Sequence, residues 1–138
     1  MSDRTLRLAL AVVALVGTGL ATYLTYVHFD EGALICTTGG CEQVQQSEYA
    51  ELAGIPVALL GLIAYVVVLA LVAWDTPLAR TLTAALALGA LAFSCYLVAL
   101  QLFVIEATCV WCMVNDLLVV PLLAVLSVLR LRSAPATA

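Results

Sequence analysis

The sequence contains no lysine, only five arginines and a single histidine, and no more than 10% of its 138 residues are charged. The shortage of positive charge, with a formal net charge of -4, excludes nucleic acid as a partner, because binding phosphates needs a basic face. So few charges also cannot cover the surface of a water-soluble globule of this length. Intrinsic disorder fails for the opposite reason: 65% of the residues are hydrophobic, and a disordered chain is poor in such residues. The apolar excess must face lipid.

What the chain does have is four apolar runs, each close to the roughly twenty residues that a helix needs to cross a bilayer. They fall at about 8–27, 55–74, 81–105 and 109–131. The first, following Arg4 and Arg7, exceeds the apolar stretch of a signal peptide and lacks a clear small-residue cleavage site, so it is expected to be retained. The expected fold is an all-α integral membrane protein: one domain over 1–138, an antiparallel bundle of four transmembrane helices packed partly through Gly17, Gly19, Gly61 and Gly89.

The arginines set the orientation, since short positively charged loops stay in the cytoplasm. Arg4 and Arg7 precede the first span, Arg80 lies between the second and third, and Arg130 and Arg132 close the fourth. Both termini are therefore expected in the cytoplasm of a bacterial cell, with the protein in its cytoplasmic membrane. The loop over about 28–54 then lies outside. It is long for a connection in so small a protein, and long loops are usually functional. Its second half, 43–52, has good helix formers and is expected to make a short helix that Gly54 and Pro56 end.

Four of the five cysteines map to that outer side. Cys36 and Cys41 lie in the long loop, and Cys109 and Cys112 open the fourth span as Cys-Val-Trp-Cys. Extracytoplasmic thiols form stable disulfides, so structural bridges are one reading; a four-thiolate zinc site is another. A bridge across a two-residue gap removes little chain entropy, however, and such pairs are usually redox or metal sites. The amides and dipole of a helix start favour the thiolate that exchanges disulfides. A thiolate from the loop pair attacking the helix-borne disulfide would pass two electrons toward the bilayer. The natural acceptor there is a quinone, such as menaquinone, ubiquinone or a relative.

In order along the chain stand Cys36, Cys41, Ser47, Gly54-Ile55-Pro56 and Cys109-Val-Trp-Cys112. With four apolar spans, this combination resembles the bacterial homologues of vitamin K epoxide reductase, and the resemblance covers nearly the whole chain. It implies that Cys36 exchanges disulfides with a separate thioredoxin-fold (DsbA-like) protein, that Cys41 attacks Cys109, and that Cys112 faces the quinone with Ser47 close by. The product would be disulfide bonds in exported proteins. Members with a fused thioredoxin-like domain exist; this chain stops at Ala138 and is expected to be the stand-alone form. The vertebrate branch has a tyrosine where this chain has Asp116, and an asparagine in the second helix, where Tyr65 is the main polar residue here. The other bacterial quinone-linked disulfide generator has its C-x-x-C in the first outer loop, the reverse of the order here.

Asp116 falls four residues after Cys112 and shares its helical face. An ionisable group inside a span is costly unless it works or is paired, so it reads either as a proton relay to the quinone or as a partner for polar backbone or trapped water. Asn115 is expected to point elsewhere. Trp111 reads as a stacking surface for the quinone ring or as an interfacial belt residue, and His28 as interfacial. Cys95, alone in the third span, has no expected part in the chemistry. The candidate catalytic set is thus Cys36, Cys41, Cys109 and Cys112, the candidate quinone contacts are Cys112, Ser47, Trp111 and Asp116, and no metal is expected.

Overall fold

The computed structural model describes residues 3–29, 51–52, 54–106 and 110–133. Four helices among them are long and apolar enough to cross a membrane: Asp3–Val27, Val57–Trp74, Pro77–Val104 and Val110–Arg132. In the order of the chain these belong to α1 (Asp3–Phe29), α2 (Val57–Trp74), α3 (Pro77–Ala99, continued by a wider turn over Leu100–Val104) and α4. The last is built from Val110–Val114, a wide turn over Asn115–Val119, and Val120–Ser133. Each helix packs on its two neighbours in a ring, α1 on α2, α2 on α3, α3 on α4 and α4 on α1. This is the four-helix membrane bundle that the apolar runs predict.

Large apolar side chains such as Leu15, Ile63, Phe103 and Leu117 lie on the outside, while Thr83, Ser94, Gln101, Asp116 and Ser127 are buried. Such an arrangement would be untenable in water. In hydrocarbon the outward leucines are in their own medium, and polar groups must find partners inside the bundle. Hydroxyls manage this locally: Thr18 donates to the Ala14 carbonyl, Thr83 to Ala79 and Ser127 to Leu123, at 2.6–2.7 Å.

The turn between α2 and α3 follows from three residues. Asp75 ends α2 in the left-handed region (φ 52°), and its N–H reaches the Leu71 carbonyl at 3.1 Å. Thr76 then caps α3, its hydroxyl accepting from the Ala79 amide at 3.0 Å, and Pro77 takes the first helical position. These signals start the third helix at Pro77, ahead of the expected Thr81, and bring Arg80 into its first turn.

At the other end of α2, Glu51–Leu52 pairs antiparallel with Ile55–Pro56, and Gly54 turns the chain at φ 83°. The expected loop helix over 43–52 lies outside the described residues apart from these last two, which are extended. Pro56 immediately precedes α2 rather than sitting within it. The glycines also differ from expectation. A Cβ on Gly17 would collide with the ring of Tyr65, so only glycine allows this approach of α1 and α2. Among the described residues, a Cβ on Gly19, Gly61 or Gly89 would meet nothing within 4 Å, so these three are not packing contacts between the described helices. Gly61 and Gly89 instead border a cavity.

Candidate functional site

That cavity, of about 430 Å³, opens among all four helices. It extends from the end where α3 stops and α4 begins, at Ile105 and Cys112, to Val120 and Leu123 deep in the bundle. Among the described residues its walls are mostly Ala, Leu, Val and Gly, with polar groups at Tyr65, Ser94, Gln101, Cys112, Asn115 and Asp116. An apolar chamber of this size with a few converging polar side chains is the usual form of a small-molecule site.

Cys112 sits in the first turn of α4, half-buried, in a cluster around Leu24 with Ala58, Ile105 and Trp111. One helical turn deeper, Asp116 is buried and accepts a hydrogen bond from the Asn115 amide at 3.1 Å; Ser94 of α3 hydrogen-bonds it from across the cavity. The Tyr65 hydroxyl of α2 donates to Asn115 Oδ1. Three helices thus meet in one polar chain, Tyr65–Asn115–Asp116–Ser94.

The local backbone accounts for this convergence. The Val120 N–H reaches back five residues to the Asn115 carbonyl, as the Ile105 N–H does to Leu100 at 2.7 Å. Each of these wide turns carries polar cavity residues: Asn115 and Asp116 on α4, Gln101 on α3. Such turns insert an extra residue into a helix and recur at functional sites. Here one lets two consecutive side chains face the same space.

Among the sequence-derived site residues, the structure brings Cys112 and Asp116 to the cavity. Trp111 lies beside it, edge-on to Tyr23 with ring centroids 5.3 Å apart, bordering a shallow groove with Gly19 and Leu20. It does not line the main chamber. Cys36, Cys41, Ser47 and Cys109 lie outside the described residues, as does the side chain of His28. Cys95 carries a free thiol on the outer surface of α3, away from the chamber. The expectation for Asn115 is corrected, because it faces the cavity and bonds to both Tyr65 and Asp116. Its position three residues after Cys112 was the available signal, since i,i+3 neighbours share a helix face as i,i+4 neighbours do. Tyr65, Ser94 and Gln101 were also missed; nothing local in a sequence pairs residues on different helices.

A second cluster closes the opposite end. Arg80 contacts Asp3 at 3.1 Å and Asp75 at 3.3 Å; Arg130 bonds to Asp75 and lies 3.5 Å from Asp3. Arg7 donates to the Val72 and Ala73 carbonyls at 3.0 and 3.1 Å, with Asp75 3.7 Å away. Three of the five arginines read as topology markers, Arg7, Arg80 and Arg130, are therefore also part of a charge network joining α1, α3, α4 and the α2–α3 turn.

Four helices able to cross a membrane thus surround an apolar chamber with a cysteine on its wall, the form of a membrane protein with an internal small-molecule site. Residues 8–127 match the vitamin K epoxide reductase family, and the chain belongs to that family. In kind it is a multi-pass membrane oxidoreductase.

Proposed function

We propose that the protein oxidises an extracytoplasmic thioredoxin-fold partner and passes the electrons, through Cys36–Cys41 and then Cys109–Cys112, to a quinone in the bundle cavity. The observation that carries this reading is Cys112 on the wall of a chamber that is otherwise apolar, with a hydrogen-bonded polar chain one turn deeper. The residues suit a quinone: alanine, leucine and glycine walls would accept a flat ring and its tail, and the polar chain would offer hydrogen-bonding partners to ring oxygens. Bound there, a quinone supplies a two-electron acceptor dissolved in the membrane.

The chain's own residues do the rest. Cys36 takes the partner's electrons by disulfide exchange, Cys41 passes them to Cys109, and the Cys109–Cys112 dithiol closes to a disulfide as it gives them up. Two electrons and two protons leave the partner dithiol, and the same number reach the quinone, so no further reductant is needed. Asp116, one turn from Cys112, is placed to relay a proton to the chamber. Ser47 lies near the quinone in this scheme, and Trp111 flanks the mouth. Arg7, Arg80 and Arg130 gathered at the far end support cytoplasmic termini and an extracytoplasmic thiol face. The biological product is disulfide bonds in exported proteins.

The test is purified full-length protein in lipid nanodiscs with a reduced thioredoxin-fold protein and a quinone, following quinone absorbance and partner thiols together. Loss of partner thiols in step with quinone, at about two per quinone, is the expected result. Partner oxidation that proceeds equally without quinone overturns it.

A further inference from the structure

We propose that the side-chain amide of Asn115 is the hydrogen-bond donor to one carbonyl oxygen of the quinone, with Tyr65 and Asp116 as the residues that position it. This rests on the quinone reading above and assigns the group that orients the ring. A side-chain amide offers one acceptor oxygen and two N–H donors, and it can turn over unless its neighbours differ in character. The neighbours of Asn115 do differ. The Tyr65 hydroxyl donates to Oδ1, and Nδ2 donates to Asp116 Oδ1 at 3.1 Å, so the oxygen is fixed toward α2 and the nitrogen toward the carboxyl.

Each clamp is itself held. The Tyr65 ring fills the space that a side chain on Gly17 would need, and Asp116 is hydrogen-bonded from α3 by Ser94. This anchoring leaves the second N–H of an amide that borders the chamber. Asn115 follows Cys112 by three residues, about 4.5 Å along the axis and on a shared face. The apolar walls can bury a ring but cannot set which way its oxygens point; a fixed N–H can. Negative charge develops on that oxygen as electrons arrive from Cys112, and a donor fixed beforehand in an apolar chamber stabilises it without having to reorganise.

The experiment is isotope-edited infrared spectroscopy on the full chain in nanodiscs, loaded with a short-tailed ubiquinone or menadione carrying 13C at its carbonyls, alongside kcat and KM. Wild-type protein should show one carbonyl band moved to lower frequency by hydrogen bonding. In Asn115→Leu that shift should vanish, with kcat reduced about 100-fold and KM changed less. Tyr65→Phe keeps the ring against Gly17 and removes only the hydroxyl that clamps the amide. Its shifted band should weaken and its kcat fall by a smaller factor. A shifted band and kcat unaltered in Asn115→Leu, or in Tyr65→Phe if the first variant does not fold, overturn the assignment. Wild-type protein that binds and reduces neither quinone overturns the parent reading, which the variants alone would not do.

Discussion

Cys112, Asn115 and Asp116 owe their common outlook to spacing on one helix, and their chemistry to what the other helices bring against them. Asp116 could be picked out from the sequence because four residues make one turn, and a carboxyl inside an apolar span is conspicuous. If it supplies a proton during turnover, Asp116→Asn should slow quinone reduction about 100-fold, by a factor that grows as pH rises and bulk protons become scarce. An unchanged rate at every pH would leave it a structural partner of Ser94 and Asn115. Tyr65 stands out as the main polar group of its span, but nothing in the sequence ties it to the site. Its partner lies 50 residues away on another helix, and hydrogen-bond pairing between helices is a property of packing, not of local pattern. For the cysteines, Cys112→Ala with its loop pair oxidised should accumulate a Cys41–Cys109 bridge in peptide mass spectra, because the Cys109 thiolate displaces Cys36 from the Cys36–Cys41 disulfide and no Cys112 is there to resolve the product. Failure to find it would contradict the proposed order of exchange.

Among the elements, helix existence was plain in the apolar runs, and helix detail was not. The Thr76-Pro77 start of α3 could be read as a cap followed by proline, whereas the wide turns at Leu100–Val104 and Asn115–Val119 left no mark in hydropathy. They arise where polar side chains are drawn into the bundle, which only the packed structure decides. Small residues misled in a related way. Glycine in a membrane helix permits close approach but does not require it: Gly17 is closed against Tyr65, while Gly61 and Gly89 border open space. Gly17→Ala should therefore displace Tyr65 and cost about 1–3 kcal/mol, read as a lower Tm in detergent. Gly19→Ala, with none of the described residues near its Cβ, should leave Tm essentially unchanged. Equal effects of the two substitutions would refute the packing described for α1 and α2.

The molecule as a whole is organised between two ends of opposite character. One holds the chamber and its thiol, and the other the charge network of Asp3, Arg7, Asp75, Arg80 and Arg130. Asp75 is the hub, touching three arginines, one of them almost fully buried. Removing it as Asp75→Ala takes from the buried Arg130 its closest carboxylate while Asp3 stays 3.5 Å away, and should destabilise the bundle by less than the roughly 3–5 kcal/mol of a fully unpaired buried charge. Asp75→Asn should cost less, and a Tm equal to wild type in both would show that the network contributes nothing to stability. Arginine placement thus does two things: it sets orientation, which could be read from sequence, and it ties helices together, which could not. The central claim, that thiols in this protein reduce a quinone held in the bundle, is tested most directly by a single-turnover titration without any partner. Fully reduced protein in nanodiscs is mixed anaerobically with excess quinone, and the quinol formed per chain is measured. The account predicts roughly two quinols per chain for wild type, roughly one when Cys36 and Cys41 are both alanine, and none for Cys112→Ala. Quinol formed undiminished by Cys112→Ala would contradict it.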